Sequence, residues 1–564
     1  VIHKKKLRNK TKIIQMIKPC FDGGSPKLID GQRKAKALAR AIKTERSPTW
    51  PTPLTFEFPA KYICDELVEG YIRSIETLYR IIHIPTFREK YEAIWTSNAQ
   101  PSPEFTVQLK LIMAIGACLY DENFSMRLEA TRWVYEAQTW LSSPTFKSNL
   151  GLQFLQNNIL LLLSREIVDV GGELVWISAG SLVRSAVYIG LHKDPTHLLK
   201  TSTFEIEMRR RVWNTILEIS MQTSLVSGGI PFISLSDFTT EPPRNFDDEQ
   251  LMADNPLART NDEYTQTSIA IALRRTLPAR LAVVKFLNDT SSISTYEETL
   301  RIDTELRSRY KELKNELQRF TVKSRSVLSR FEQQTVDFIT HRYLISLHIP
   351  YFESSLKESA YAFTRKVVID SSLKVWSIGN PSSVSSAAQT PFSASFDSDV
   401  PTIEEDFPRL CRCGSGFFRA LAFQASTLLV VELRTQLQED DSIGTLNIRP
   451  DLLAVLKEVP NWCLRCIEAG ETGVKGYLLH RILNAQIDGL IRNMGKDEMP
   501  AIMTEAAEDA GNRCLPLLEN LRRQQQSGRT TLSLDDAGFE PSLEFMKDWD
   551  LVMSDVFDVD QFFS

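Results

Sequence analysis

The residues of this sequence best suited to metal or nucleophilic chemistry are its eight cysteines and seven histidines. Cys411 and Cys413 form a C-x-C pair and Cys463 and Cys466 a C-x-x-C pair. Four thiolates gathered from two such pairs would hold zinc tetrahedrally. The pairs are far apart, however, and Trp462–Ile467 reads as helix, where Cys463 and Cys466 are packing residues one turn apart. Buried free cysteine behaves as a small hydrophobe, so no metal ligand is assigned. The remaining cysteines, Cys20, Cys64, Cys118 and Cys514, are scattered, follow no secretory signal and read as reduced thiols. His3, His83, His192, His197, His341, His348 and His480 show no H-E-x-x-H spacing. The sequence holds no phosphate loop of the G-x-x-x-x-G-K-[ST] type and no G-x-G-x-x-G after a strand. Ala179-Gly180-Ser181 lacks the frame of a nucleophile elbow. These absences argue against an enzyme; no catalytic residue and no cofactor are assigned within the chain.

Charge is the next chemistry, and it is distributed unevenly. The whole chain carries −5, of which residues 1–46 contribute +11 and the remainder −16. Lys4, Lys5, Lys6, Arg8, Lys10 and Lys12 suit either phosphate neutralisation or nuclear import, the bland alternative being a solvated arm. At the other end, residues 534–564 hold nine acids and one lysine, interleaved with aromatics that include Phe545, Trp549, Phe557 and Phe562. The acids keep bulky anchors soluble until an apolar groove receives them, which is the composition of a transcription activation segment. The alternative is a C-terminal helix docked on its own core through Phe545, Trp549 and Val552.

The elements that must position these residues read as helices. Apolar residues recur at intervals of three and four from about Tyr62 to Trp376, and strand-like alternation is scarce. Ser202 and Glu205 match a capping box, and Phe204, Met208, Val212, Ile216 and Ile219 follow on one face until Gly228-Gly229 and Pro231 stop the helix. A second helix runs over 173–188, closed by Gly190 and Asp194-Pro195. The apolar runs Leu109–Tyr120 and Asn158–Leu163 are too short to span a bilayer, so no membrane partner is expected. The expected architecture is all-α: a large multi-helical domain with short loops. It divides into a basic arm and proline-rich hinge over 1–49, with a short basic helix over 33–43; a helical domain over 50–376; a Ser-rich disordered linker over 377–408; a second helical part over 409–525; and an acidic-aromatic tail over 526–564.

A family resemblance emerges from blocks in order. His83-Ile-Pro85-Thr-Phe87, followed by Tyr91 and Trp95, resembles the opening of the middle homology region of fungal zinc-cluster transcription factors of the xylanolytic-activator type. Trp176 to Gly180, Arg184 and the run Gly190-Leu191-His192-Lys193-Asp194-Pro195 resemble its helix-and-turn block. The stretch 205–213 (EIEMRRRVW, containing Arg210, Arg211 and Trp213) is similar to its charged helix, and Gly228-Gly229-Ile-Pro231 occupies the place of its G-R-P turn. Asp237, then Pro242-Pro243-Arg244-Asn245-Phe246-Asp247-Asp248, and finally Leu347-His348-Ile-Pro350-Tyr351 complete the set. Read as residues alone, these positions are structural. Trp176, Trp213 and Phe246 are expected to fill the core. Arg184, Arg209, Arg210 and Arg211 are expected to pair with acids or face solvent, and His192 and Asp194 to cap a helix end.

The resemblance implies a fungal transcription regulator of RNA polymerase II genes in the nucleus, this chain supplying its regulatory domain and an acidic activation tail. The family's DNA-reading element, a six-cysteine binuclear zinc module, is not in this sequence, whose N-terminal thiol is Cys20 alone. Because residue 1 is Val and not Met, that module is expected upstream, and zinc is expected only there. The implied partners are DNA through the missing module and co-regulators through the tail, with a homodimer and a small-molecule effector left open. The alternative is a helical corepressor or scaffold that lacks a DNA-binding module.

Overall fold

Spacing of three and four residues between apolar side chains dictates helices, and among the described residues every regular element is an α-helix or a short 3-10 turn. The computed structural model describes residues 25–97, 100–143, 150–171, 175–197, 201–260, 262–289, 295–323, 328–381, 406–439, 449–495 and 497–529. In order the helices are α1 (Pro26–Arg46), α2 (Lys61–Ile72), α3 (Ile75–Tyr79), α4 (Ile84–Thr96), α5 (Pro103–Tyr120), α6 (Arg127–Leu141), α7 (Leu152–Val168), α8 (Val175–Tyr188) and α9 (Thr203–Ser227). They continue as α10 (Ser268–Asn288), α11 (Tyr296–Lys323), α12 (Arg330–Ser355), α13 (Ala362–Gly379), α14 (Asp406–Cys413), α15 (Phe417–Glu439), α16 (Pro450–Glu468), α17 (Lys475–Ile491) and α18 (Met499–Arg529). No single helix among the described residues is long and apolar enough to cross a membrane. The described residues form two compact units, one from the described parts of 48–348 and 406–418, the other from 25–47, 349–381 and the described parts of 419–529.

The first unit is built around α5. Every residue from Phe105 to Leu119 is buried, and a helix without a wet face must be surrounded. Helices α2, α6 and α7 surround it. Its contact with α2 is closest at Gly116, where a Cβ would stand 1.9 Å from the Leu67 carbonyl oxygen; only glycine permits this crossing. The start of α5 is fixed by Ser102, whose Oγ accepts from the Phe105 N–H at 3.3 Å, with Pro103 in the first turn. The expected capping box on α9 is present: Ser202 Oγ accepts from Glu205 N–H, and Glu205 Oε2 accepts from Ser202 N–H, both at 3.2 Å. Gly228, at φ +67°, ends that helix in the left-handed region.

The proline-rich segment expected as a hinge is instead held on this unit. Its prolines keep it extended, and the chain is fastened by Thr52 N–H to Thr139 Oγ1 and by Thr55 N–H to Glu136 Oε2, each 3.1 Å. Lys110, buried on α5, donates to the Thr55 carbonyl at 2.6 Å and pairs with Glu136.

In the second unit α1 packs along α18. Leu28, Ala35 and Ile42 form its buried stripe at a seven-residue interval, the spacing of a coiled-coil seam. Glu45 closes the pair by accepting from Arg522 Nη2 at 2.5 Å. The short helix expected over 33–43 therefore extends to 21 residues, started by Ser25, which accepts from the Leu28 N–H, and by Pro26. This part of the expected arm is a docked element, because its apolar stripe needs a partner face. Trp376 of α13 meets Trp462 of α16 edge-on at 5.7 Å, and Cys463, Cys466 and Cys514 are buried packing residues. The expected linker narrows too: α13 reaches Gly379 and α14 begins at Asp406. Residues 382–405 lie outside the described residues.

Candidate functional site

The family-like blocks meet in the first unit as a frame of buried ion pairs. Its centre is Asp248, which opens a 3-10 turn and is fully buried. Its carboxylate receives Arg211 Nη1 at 2.6 Å, the Ile84 N–H at 2.8 Å and the Arg80 guanidinium. The Asp248 carbonyl accepts from His83 Nε2 at 2.9 Å, while His83 Nδ1 contacts the Thr86 hydroxyl at the start of α4. One residue thereby ties α3, α4 and α9 together. Two guanidinium groups and a backbone donor hold the Asp248 carboxyl down, to about 2, against the opposing effect of burial. Arg80 also faces Glu76 at 3.9 Å, and Glu76 accepts from Tyr71 Oη at 2.6 Å and from the Ile81 and Ile82 N–H groups at 3.1 Å. Burial pushes the Glu76 carboxyl up.

A second node lies where α9 begins. Arg210 donates to both oxygens of Asp194 at 3.0 Å and to Glu207 at 3.0 Å. Asp194 also accepts from the Thr196 N–H and the Glu241 N–H, and Glu207 from the Arg244 N–H at 2.8 Å. These bonds hold the Asp194 carboxyl well below the usual carboxylate range against the opposing effect of burial. Asn245 satisfies the adjoining loop: its Nδ2 donates to the Thr260 and Glu263 carbonyls, and its Oδ1 accepts from Thr265 Oγ1, at 2.7–2.8 Å. Asp247 pairs with Arg259 at 2.7 Å. Phe246 is buried, and its carbonyl accepts from Thr267 Oγ1 at 2.7 Å. Elsewhere in the unit, Arg280 and Glu218 form a two-pronged buried pair at 2.5 and 2.6 Å, and His348 Nε2 lies 3.1 Å from Asp303 Oδ1.

The expected motif positions thus sort cleanly. His83, Asp194, Arg210, Arg211, Asn245, Asp247 and Asp248 join the frame, while Pro85 starts α4 and Phe87 and Trp213 fill the core. Trp176 does not enter the core as expected. It is half-buried and stacks on exposed Phe232 at 6.0 Å, because it follows the first residue of α8 beside a surface loop. His192 does not cap through its side chain; its carbonyl accepts from the Thr239 N–H, and its Nδ1 has no partner. Arg209 donates to the Ile189 carbonyl, and Arg184 is exposed. Lys4, Lys5, Lys6, Arg8, Lys10 and Lys12 lie outside the described residues, as do Phe545, Trp549, Phe557 and Phe562. Arg80, Glu76, Lys110 and the Arg280–Glu218 pair were not singled out by motif. Their signal is a charged residue in an otherwise apolar run, as at Lys110.

Each of these carboxylates is taken up by guanidinium groups, hydroxyls or backbone N–H groups of neighbouring elements, so the frame positions helices. The described residues do not fit zinc. Cys413 donates to backbone carbonyls of Asp121 and Glu122, and no group of three or more His, Cys, Asp or Glu side chains among the described residues is arranged to hold a metal.

Residues 69–331 match the fungal specific transcription factor domain. The chain is 32% identical over 523 residues to transcription factor opdR of Penicillium oxalicum, covering 86% of this chain and 63% of that protein. It is 29% identical over 360 residues to the aspyridones cluster regulator apdR of Emericella nidulans, 61% of this chain and 46% of that one. It is 24% identical over 347 residues to the Zn(2)-C6 fungal-type transcription factor mpsB of Macrophomina phaseolina, 58% of this chain and 46% of that one. The chain therefore spans about half to two thirds of the length of these relatives.

Proposed function

We propose, from the match of residues 69–331 to the fungal specific transcription factor domain, that this chain is the effector part of a nuclear regulator of RNA polymerase II genes. The observation that carries this reading is the Asp248-centred frame: the blocks that resemble the family are the residues that lock the first unit together. DNA binding belongs to a zinc cluster outside this sequence, as the name of mpsB suggests for that relative. The name of apdR, an aspyridones cluster regulator, supports control of a gene cluster as the target. In this reading the helical units are a scaffold, and the acidic-aromatic segment 530–564 recruits the transcription machinery through Phe545, Trp549, Phe557 and Phe562. Signal input shifts a population between silent and active forms, whether it arrives as a small molecule, a co-regulator or a second copy.

The test fuses the whole chain to a foreign DNA-binding module and reads a reporter carrying that module's site. Strong activation, lost when Trp549, Phe557 and Phe562 become alanine, is the expected result. A reporter signal equal to that of the module alone, or one untouched by those substitutions, removes the activation role.

A further inference from the structure

The outer face of α8 carries an apolar surface with no role in the frame. Among the described residues, Ile177 is 62% exposed, Tyr188 63%, Ile230 53% and Phe232 60%, with Val187 and Leu235 also exposed. Apolar side chains scattered singly on a surface are ordinary, whereas a contiguous group marks an interaction site. Here the helix and the loop that carry the exposed residues touch. Trp176 stacks on Phe232 with ring centroids 6.0 Å apart. Gly229 lies so close beneath Trp176 that a Cβ would approach its ring to 2.4 Å. The loop then returns beside the turn after α8, through Thr239 N–H to the His192 carbonyl at 2.8 Å and Asp194 N–H to Thr239 Oγ1 at 3.1 Å.

The surface has a direction and a charge. Val175, Ala179, Leu182 and Ala186 are the buried side of α8. On the other side Ile177, Ser181, Arg184 and Tyr188 follow at intervals of four, three and four, a single exposed stripe about 16 Å long. Arg184 is the one charged residue in α8, and residues 228–236 contain none. Exposed Lys193 stands in the turn beyond. The nearest acid in the loop sequence, Asp237, turns back to accept from the Ser234 N–H at 2.8 Å.

We infer that this face is a docking surface for an acidic amphipathic helix of a partner protein. A straight stripe on α8, with a loop that meets the same helix at Trp176, fits a helix whose anchors at intervals of three and four lie against Ile177, Tyr188 and Phe232. A carboxylate on its flank pairs with Arg184, which a neutral or basic helix would leave desolvated and unpaired.

The test uses the whole chain and a labelled four-turn peptide with Leu, Phe and Trp on one face and Glu on the other, followed by fluorescence anisotropy. A counterpart with Lys in place of Glu is the control. The expected result is binding of the acidic peptide only, weakened roughly tenfold or more by Tyr188→Ala or Phe232→Ala, as for aromatic anchors at interfaces. Arg184→Glu is expected to reject the acidic peptide and accept the basic one. All three residues are exposed, so unchanged thermal unfolding of each variant verifies that the fold is intact. No binding of the acidic peptide, equal binding of both peptides, or indifference to Arg184→Glu overturns the proposal. Self-association in sedimentation velocity that Phe232→Ala abolishes also overturns it, by assigning the face to a second copy.

Discussion

Replacing Asp248 by Asn tests the frame at its most connected atom group. The change keeps size and shape but removes the negative charge that two buried guanidinium groups, Arg80 and Arg211, share. Arg80 retains Glu76 at 3.9 Å, whereas Arg211 keeps only neutral acceptors, the Phe246 carbonyl at 3.4 Å and Thr267 Oγ1 at 3.0 Å. The new amide also presents N–H donors where the carboxylate accepted on both oxygens. Removing one partner of a buried ion pair costs about 3–5 kcal/mol, a large share of the roughly 5–15 kcal/mol that holds a domain folded. The assay is urea unfolding followed by far-ultraviolet circular dichroism, with hydrogen exchange in α9 to assign the loss to the first unit. Adding Arg211→Met to Asp248→Asn restores charge balance, so the double variant should be more stable than the sum of the two single losses by about 1 kcal/mol or more. The acid limb carries a second signature. Because the folded Asp248 carboxyl is depressed from 3.8 to about 2, its contribution is full above pH 3.8 and is lost as pH falls through about 2. The Asn variant should lack that component. A loss below about 1 kcal/mol, or strict additivity with Arg211→Met, would refute the claim that Asp248 organises the unit.

Three further outcomes follow from the packing. Gly116→Ala should lower the urea midpoint by an amount equivalent to about 3 kcal/mol, since its methyl group would collide with the Leu67 backbone and force α5 off α2. Ser202→Ala removes the side-chain cap of α9 and should cost about 1 kcal/mol by the same measurement. His480 is fully buried beside Ser426 and Thr427, and burial pushes its imidazole down from 6.5 to about 3. Between those values the unfolded chain takes up a proton that the folded one refuses. Stability should therefore fall as pH drops from 6.5, by up to about 1.4 kcal/mol per pH unit, and His480→Gln should flatten that slope between pH 7 and 5.

The helical class was legible because α9 and α8 print their periods, caps and stops locally: Ser202, Glu205, Gly190 and Gly228 do in space what they announce in sequence. The partners of the motif charges were not legible. Nothing near Arg211 says that its acid lies at position 248, or that Arg80, outside any block, shares it. Ion pairs between distant segments depend on the packed fold, which local spacing does not encode. Basic composition also concealed the docking of α1, because its apolar stripe of Leu28, Ala35 and Ile42 is only one residue wide. Trp176 misled for the opposite reason: tryptophan is a core residue by habit, yet here it forms part of a surface.

The pairing of α1 with α18 sets where the two charged ends of the sequence attach. Ser25 Oγ donates to Glu508, and Arg522 reaches Glu45, so the two helices run in the same direction. The basic segment before Ser25 therefore joins one end of the pair and the acidic segment after Arg529 the other, about 30 Å apart along the helices. That span is more than three screening lengths at physiological salt, which are about 8 Å each. Opposite charges placed at the two ends of the paired helices are therefore screened from each other.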